Sequence, residues 1–221
     1  MTQARDRDLL AWLDRHFSVH LPFSRFARNV ALLSLAGLVP VLALYVALAP
    51  GLGPHLWGSG AALGRFARQI VTNGLPVVFV VNALGLILFA QLRARRIAPL
   101  RALALDIPAR IGAFIALHLA IYPASAMLFG SFGGDPVQAL RVTGSTLAQS
   151  AGFANLSGVY LYATLLSALP LHMALVGQIM QKWRPALQWY IYVLAALAVF
   201  AMQALSLTGL SILMDRLLRS I

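Results

Sequence analysis

The chain has no cysteine, no glutamate and a single lysine, Lys182. The first absence excludes disulfides and thiolate metal sites, and it leaves the compartment open. The second leaves six acidic residues: Asp6, Asp8, Asp14, Asp106, Asp135 and Asp215. None of them falls inside an apolar run, so the carboxylates that usually carry protons through membranes have no counterpart here. Gly-x-Ser-x-Gly, His-Glu-x-x-His and a phosphate-binding glycine loop are also missing, which removes the sequence case for hydrolytic or transferase chemistry. The glycine-rich stretch from Gly130 to Gly134 ends an apolar run rather than opening a helix after a strand.

Apolar length dominates what is present. Hydrophobic residues make up 60% of the 221. They concentrate in five runs, at residues 29–50, 70–92, 111–132, 155–180 and 189–213. Each run has about the 20 residues that a helix needs to cross a hydrocarbon core roughly 30 Å thick. The runs predict an all-α polytopic transmembrane bundle of five spans. Residues 1–28 form an N-terminal segment, and residues 29–221 form the membrane domain. Ala47-Leu48-Ala49 imitates a signal-peptidase site, but the long run before it and Pro50 after it predict that the first span is retained.

The net charge of +11 comes from sixteen Arg and one Lys that flank the apolar runs. That placement points to anionic lipid headgroups and not to nucleic acid. With the N-terminus inside, twelve of the basic residues lie on the inner side. They are Arg5, Arg7, Arg15, Arg25, Arg28, Arg93, Arg95, Arg96, Arg101, Arg110, Lys182 and Arg184. Five lie outside: Arg65, Arg68, Arg141, Arg216 and Arg219. The asymmetry predicts an inside N-terminus and an outside C-terminus. The loop from Arg93 to Arg110 is the densest basic cluster, and Arg93, Arg95, Arg96 and Arg101 are the candidate lipid-binding residues. Residues 4–17 alternate as a short amphipathic helix, with Leu9, Leu10, Leu13 and Phe17 on one side. That helix suits the inner membrane surface or a docked partner.

Proline interrupts four of the runs, at Pro40, Pro76, Pro123 and Pro170. Each proline removes a backbone donor and predicts a kink. Gly112, Ala116, Ala120 and Ala124 form a ridge of small residues, which predicts close approach of a second helix. Inside the runs, Asn82, His118, Tyr122, His172 and Gln178 form a candidate polar layer. His118 and His172 lie at matched depth when measured from the ends of their runs. Three readings of the layer stay open: structural hydrogen bonding, a bis-histidine haem b or quinone-linked redox site, and a path for protons or a solute. His16 and His20 are spaced to share a metal, but no carboxylate pair stands near them.

The stretch Phe132-Gly-Gly-Asp-Pro-Val-Gln-Ala-Leu-Arg-Val-Thr143 resembles bacterial members of the Yip family, the Ypt-interacting-protein-like membrane proteins. In that family a glycine pair after the third span precedes a helix of this character. The five-span layout over residues 25–210 is also similar. The resemblance implies a multi-pass protein of a bacterial inner membrane that organises membrane or trafficking components, with no catalytic residues to carry over. The resulting expectation is a non-enzymatic scaffold or assembly subunit without a cofactor. It would act through lipids and other membrane proteins. The alternative is a small redox or transport subunit built around His118 and His172.

Overall fold

The computed structural model describes residues 2–18, 20–181 and 189–219. Among these, every regular element is helical. In chain order they are α1 (Thr2–Phe17), α2 (Phe23–Leu48), α3 (Leu52–Gly58), α4 (Gly60–Gln69), a π-helical turn (Ile70–Gly74), α5 (Leu75–Ala94), α6 (Pro99–Phe129), a 3-10 turn (Ser131–Gly134), α7 (Pro136–Ala151), α8 (Leu156–Ser167), α9 (Leu169–Gln181) and α10 (Trp189–Arg219).

Among the described residues, four helical stretches are long and apolar enough to cross a membrane: Phe23–Leu48, Gly60–Ala94, Pro99–Phe129 and Tyr190–Gly209. A fifth forms if α8 and α9 together make one bent span; they meet at 41°. The bend follows from Pro170, which cannot donate to the carbonyl one turn earlier. Upstream of Pro76 the chain instead widens into the π-helical turn, where the Leu75 N–H reaches the Ile70 carbonyl. A widened turn accommodates the proline ring while the helix runs on. Pro40, Pro108 and Pro123 are carried inside continuous helices.

Two spans begin ten or more residues ahead of their apolar runs. α4, the π-helical turn and α5 are continuous from Gly60, ten residues before the run begins. α6 starts at Pro99, a residue suited to the first helical turn because its missing N–H has no helical partner to lose. The segment between Pro99 and Arg110, read from its charges as a loop, is therefore the first part of a spanning helix.

The helices alternate in direction. One end of the bundle, called here the near end, holds α1 and the turn between α5 and α6. The far end holds α3, the 3-10 turn and α7. α1 docks on the bundle: Leu13 and Phe17 are buried among Val30, Phe89 and Leu175. Arg93 anchors it through an ion pair with Asp14 at 2.8 Å. The apolar interior falls into two layers. The far layer contains Leu38, Val78, Val81, Phe114, Val159 and Leu165. The near layer contains Val30, Leu86, Phe89, Leu103, Leu171 and Leu175.

The small ridge on α6 does not meet a neighbouring helix. Gly112, Ala116, Ala120 and Ala124 are all exposed, and a Cβ built on Gly112 would touch nothing within 4 Å. The close approach occurs at Gly37 of α2, where a Cβ would lie 2.6 Å from the Ala163 carbonyl oxygen of α8.

Candidate functional site

Between the two apolar layers lies a set of buried polar side chains from four helices. α2 contributes Ser34, α5 contributes Asn82, α6 contributes Asp106 and Arg110, and α9 contributes His172; none is more than 1% exposed. The layer order repeats along α2, α5 and α6. α2 reads Val30, Ser34, Leu38. α5 reads Val81, Asn82, Leu86. α6 reads Leu103, Asp106 and Arg110, Phe114. One polar stratum is thus sealed by a dry stratum on either side.

Helical spacing places Arg110 one turn after Asp106, on the same face. Arg110 Nε donates to Asp106 Oδ2 at 2.8 Å, and Nη1 donates to Asn82 Oδ1 at 2.8 Å. Asn82 Nδ2 then donates to Ser34 Oγ at 2.9 Å. His172 Nε2 lies 3.0 Å from the same Asp106 Oδ2. A carboxylate paired with arginine only accepts, so Nε2 carries the hydrogen in this contact. Room for the guanidinium comes from Gly85: a Cβ there would lie 2.5 Å from Arg110 Cζ. Asp106 Oδ1 and Arg110 Nη2 are buried without a hydrogen-bond partner among the described residues. Oδ1 can still accept a hydrogen bond, and Nη2 can still donate one.

Two cavities approach this stratum without entering it. The far cleft, about 460 Å³, is lined by His118, Tyr122, Phe132 and Tyr160 among others. The near cavity, about 510 Å³, is lined by His20, Arg93, Arg96, Phe89 and Gln178, with Asp14 at its edge. Phe114 stands between Arg110 and His118 on α6, one turn from each, so about 12 Å of helix separates Arg110 from His118 on that side. Phe89 stands one turn from Gly85 on the other side.

The sequence-predicted residues therefore separate into three places. His172 and Asn82 belong to the ion cluster. His118 and Tyr122 belong to the far cleft, with ring centroids 5.9 Å apart. Gln178, Arg93 and Arg96 line the near cavity, while Arg95 and Arg101 are exposed. His118 is twelve residues beyond Asp106, about 18 Å along α6, so the two histidines do not share a level. Their apparent match came from measuring His118 against the wrong helix end. His172 Nε2 is engaged by Asp106, and His118 Nδ1 is bonded to the Phe114 carbonyl at 2.9 Å. That geometry gives a bis-histidine haem no support. His16 bonds to the Trp12 carbonyl at 2.8 Å, and the described residues contain no group of three metal-binding side chains.

Sequence reasoning missed Asp106 and Arg110. Their signal was present in the opposite charges at i, i+4 spacing after a helix-starting proline.

Fold and cluster together define a class: a multi-pass, all-helical membrane protein with an ion pair buried between its spans. No family model, curated protein or solved structure matches the chain.

Proposed function

We propose that the protein is a non-enzymatic membrane carrier that passes protons across the bundle through His172 and Asp106. The observation that carries this reading is the occluded Asp106–Arg110–His172 cluster. Ionisable groups are costly within a membrane domain and are retained mainly where charge is handled. Stability alone is a weak reason to keep them, because a buried ion pair gains little over well-packed apolar residues. The cluster holds one fixed cation and one carboxylate. A proton arriving on His172 leaves it with one extra positive charge, and transfer to Asp106 needs only the existing 3.0 Å contact. Barriers of one to two helical turns separate the cluster from the two cavities. The α8–α9 break, next to His172, is the proposed hinge that opens one barrier at a time. Proton flux in proteoliposomes tests the reading. Wild-type protein is expected to carry flux, and the charge-balanced double variant Asp106→Asn/Arg110→Gln is expected to lose it.

The near cavity favours a second reading, association with anionic lipid. Arg93, Arg96 and His20 line it. Arg96 also holds a left-handed backbone (φ 54°) at the end of α5, where glycine is usual. In the orientation proposed from the basic residues, this cavity faces the inner leaflet. A Yip-like origin and a bacterial inner membrane belong to the same reading. Each arginine near an anionic surface is worth about 1 kcal/mol. Arg93→Gln/Arg96→Gln is expected to lose co-purifying phosphatidylglycerol in native mass spectrometry. Undiminished retention would remove lipid binding from the account.

A further inference from the structure

The far cleft is lined by groups that the proposed proton transfer between His172 and Asp106 does not use. The π-helical turn places Thr72 and Asn73 on its wall, and π-turns of this kind are often found at functional sites. The same turn ends in Gly74, against which the Tyr160 ring is seated; a Cβ at Gly74 would collide with that ring. Tyr160 is only 4% exposed, yet its hydroxyl has no hydrogen-bond partner among the described residues. His118 is equally buried. Its Nδ1 bonds to a carbonyl, which can only accept, so Nδ1 carries the hydrogen. In the neutral ring Nε2 is then an acceptor. The cleft thus brings together a deeply buried unused donor and a deeply buried acceptor.

The remaining lining narrows the ligand. No Asp, Glu, Lys or Arg is among the described residues that line the cleft. A charged head would have no counter-ion there, so the ligand is neutral. Val80 and Ile121 form part of the wall and are also exposed on the outer surface of α5 and α6, so the cleft borders the lipid-facing side of the bundle. Tyr122 and Phe132 stack with centroids 5.6 Å apart and planes 21° apart, presenting flat aromatic surface. Phe132 holds φ 55°, a left-handed conformation that is costly for a bulky residue and is found mostly where function requires it.

We infer that the far cleft binds a neutral, membrane-soluble ring compound bearing carbonyl or hydroxyl groups, the chemistry of a quinone or its quinol. Tyr160 donates to a ring carbonyl, and His118 Nε2 accepts from a ring hydroxyl. The inference concerns occupancy and includes no electron transfer.

Decylubiquinone is the probe, titrated calorimetrically into the full-length protein in detergent micelles. Saturable binding is expected. Tyr160→Phe keeps the ring in its seat and removes only the hydroxyl, and it is expected to weaken binding about tenfold. Ser157→Trp fills the cleft from a partly exposed position and is expected to abolish it. Asp106→Asn/Arg110→Gln is expected to bind as wild type, which separates ligand binding in the cleft from proton transfer in the ion cluster. Partitioning no greater than into empty micelles would overturn the inference. So would saturable binding that both Tyr160→Phe and Ser157→Trp leave unchanged, or displacement of the quinone by an equal concentration of didecanoylglycerol.

Discussion

Asp106→Leu is expected to destabilise the protein by about 3–5 kcal/mol. The change itself adds apolar volume between the two apolar layers. The damage comes from what stays behind. Arg110, 1% exposed, keeps its charge and loses the carboxylate that accepts its Nε–H. His172 loses the same partner. The double variant Asp106→Leu/Arg110→Met is expected to recover most of the loss, because it removes the orphaned charge as well. Thermal melts of the two variants in one detergent check this. A single variant as stable as the double would mean that the cluster is hydrated, not dry.

The second large effect is expected at Gly37. α2 and α8 approach so closely there that a Cβ would meet the Ser167 hydroxyl and lie 2.6 Å from the Ala163 carbonyl oxygen. A backbone atom cannot swing aside as a side-chain tip can. Gly37→Ala is expected to cost about 1–3 kcal/mol through overpacking, and Gly37→Leu to prevent folding. Gly112→Leu serves as the control. It carries the same change on another spanning helix, but its Cβ meets nothing, so its melting temperature is expected to stay close to wild type. Melts of the three variants give the ranking. A Gly112 variant as damaged as the Gly37 variant would contradict the α2–α8 contact.

The contrast between these glycines shows what was legible in the sequence. Small residues every four positions identify a face of a helix, and the ridge on α6 was correctly periodic. Periodicity does not say whether a neighbour stands opposite. Gly37 carried no repeat at all, because one close contact needs only one small residue. Apolar run length gave the helical membrane class and the approximate place of every span, since that signal depends on composition over about 20 residues. It failed where charge pairs. Asp106 and Arg110 ended the third run because each costs too much alone in an apolar stretch. A pair one turn apart cancels most of that cost, and the helix continues through it. With the boundary moved to Pro99, His118 no longer matched His172 in depth, and one polar layer resolved into a cluster and a cleft. Asn82 was recognised as buried and polar, but its partner Arg110 had been assigned to a loop.

The central claim is that Asp106 and His172 pass protons through a stratum otherwise sealed from both cavities. The most direct measurement follows a pH-sensitive dye inside proteoliposomes under an imposed potassium diffusion potential. The account predicts acidification faster than in empty liposomes, its return to the empty-liposome rate in Asp106→Asn/Arg110→Gln, and a raised rate in Phe114→Ala, where the far barrier is thinned. Wild-type liposomes no leakier than empty ones, or a double variant that folds and still carries full flux, would contradict it.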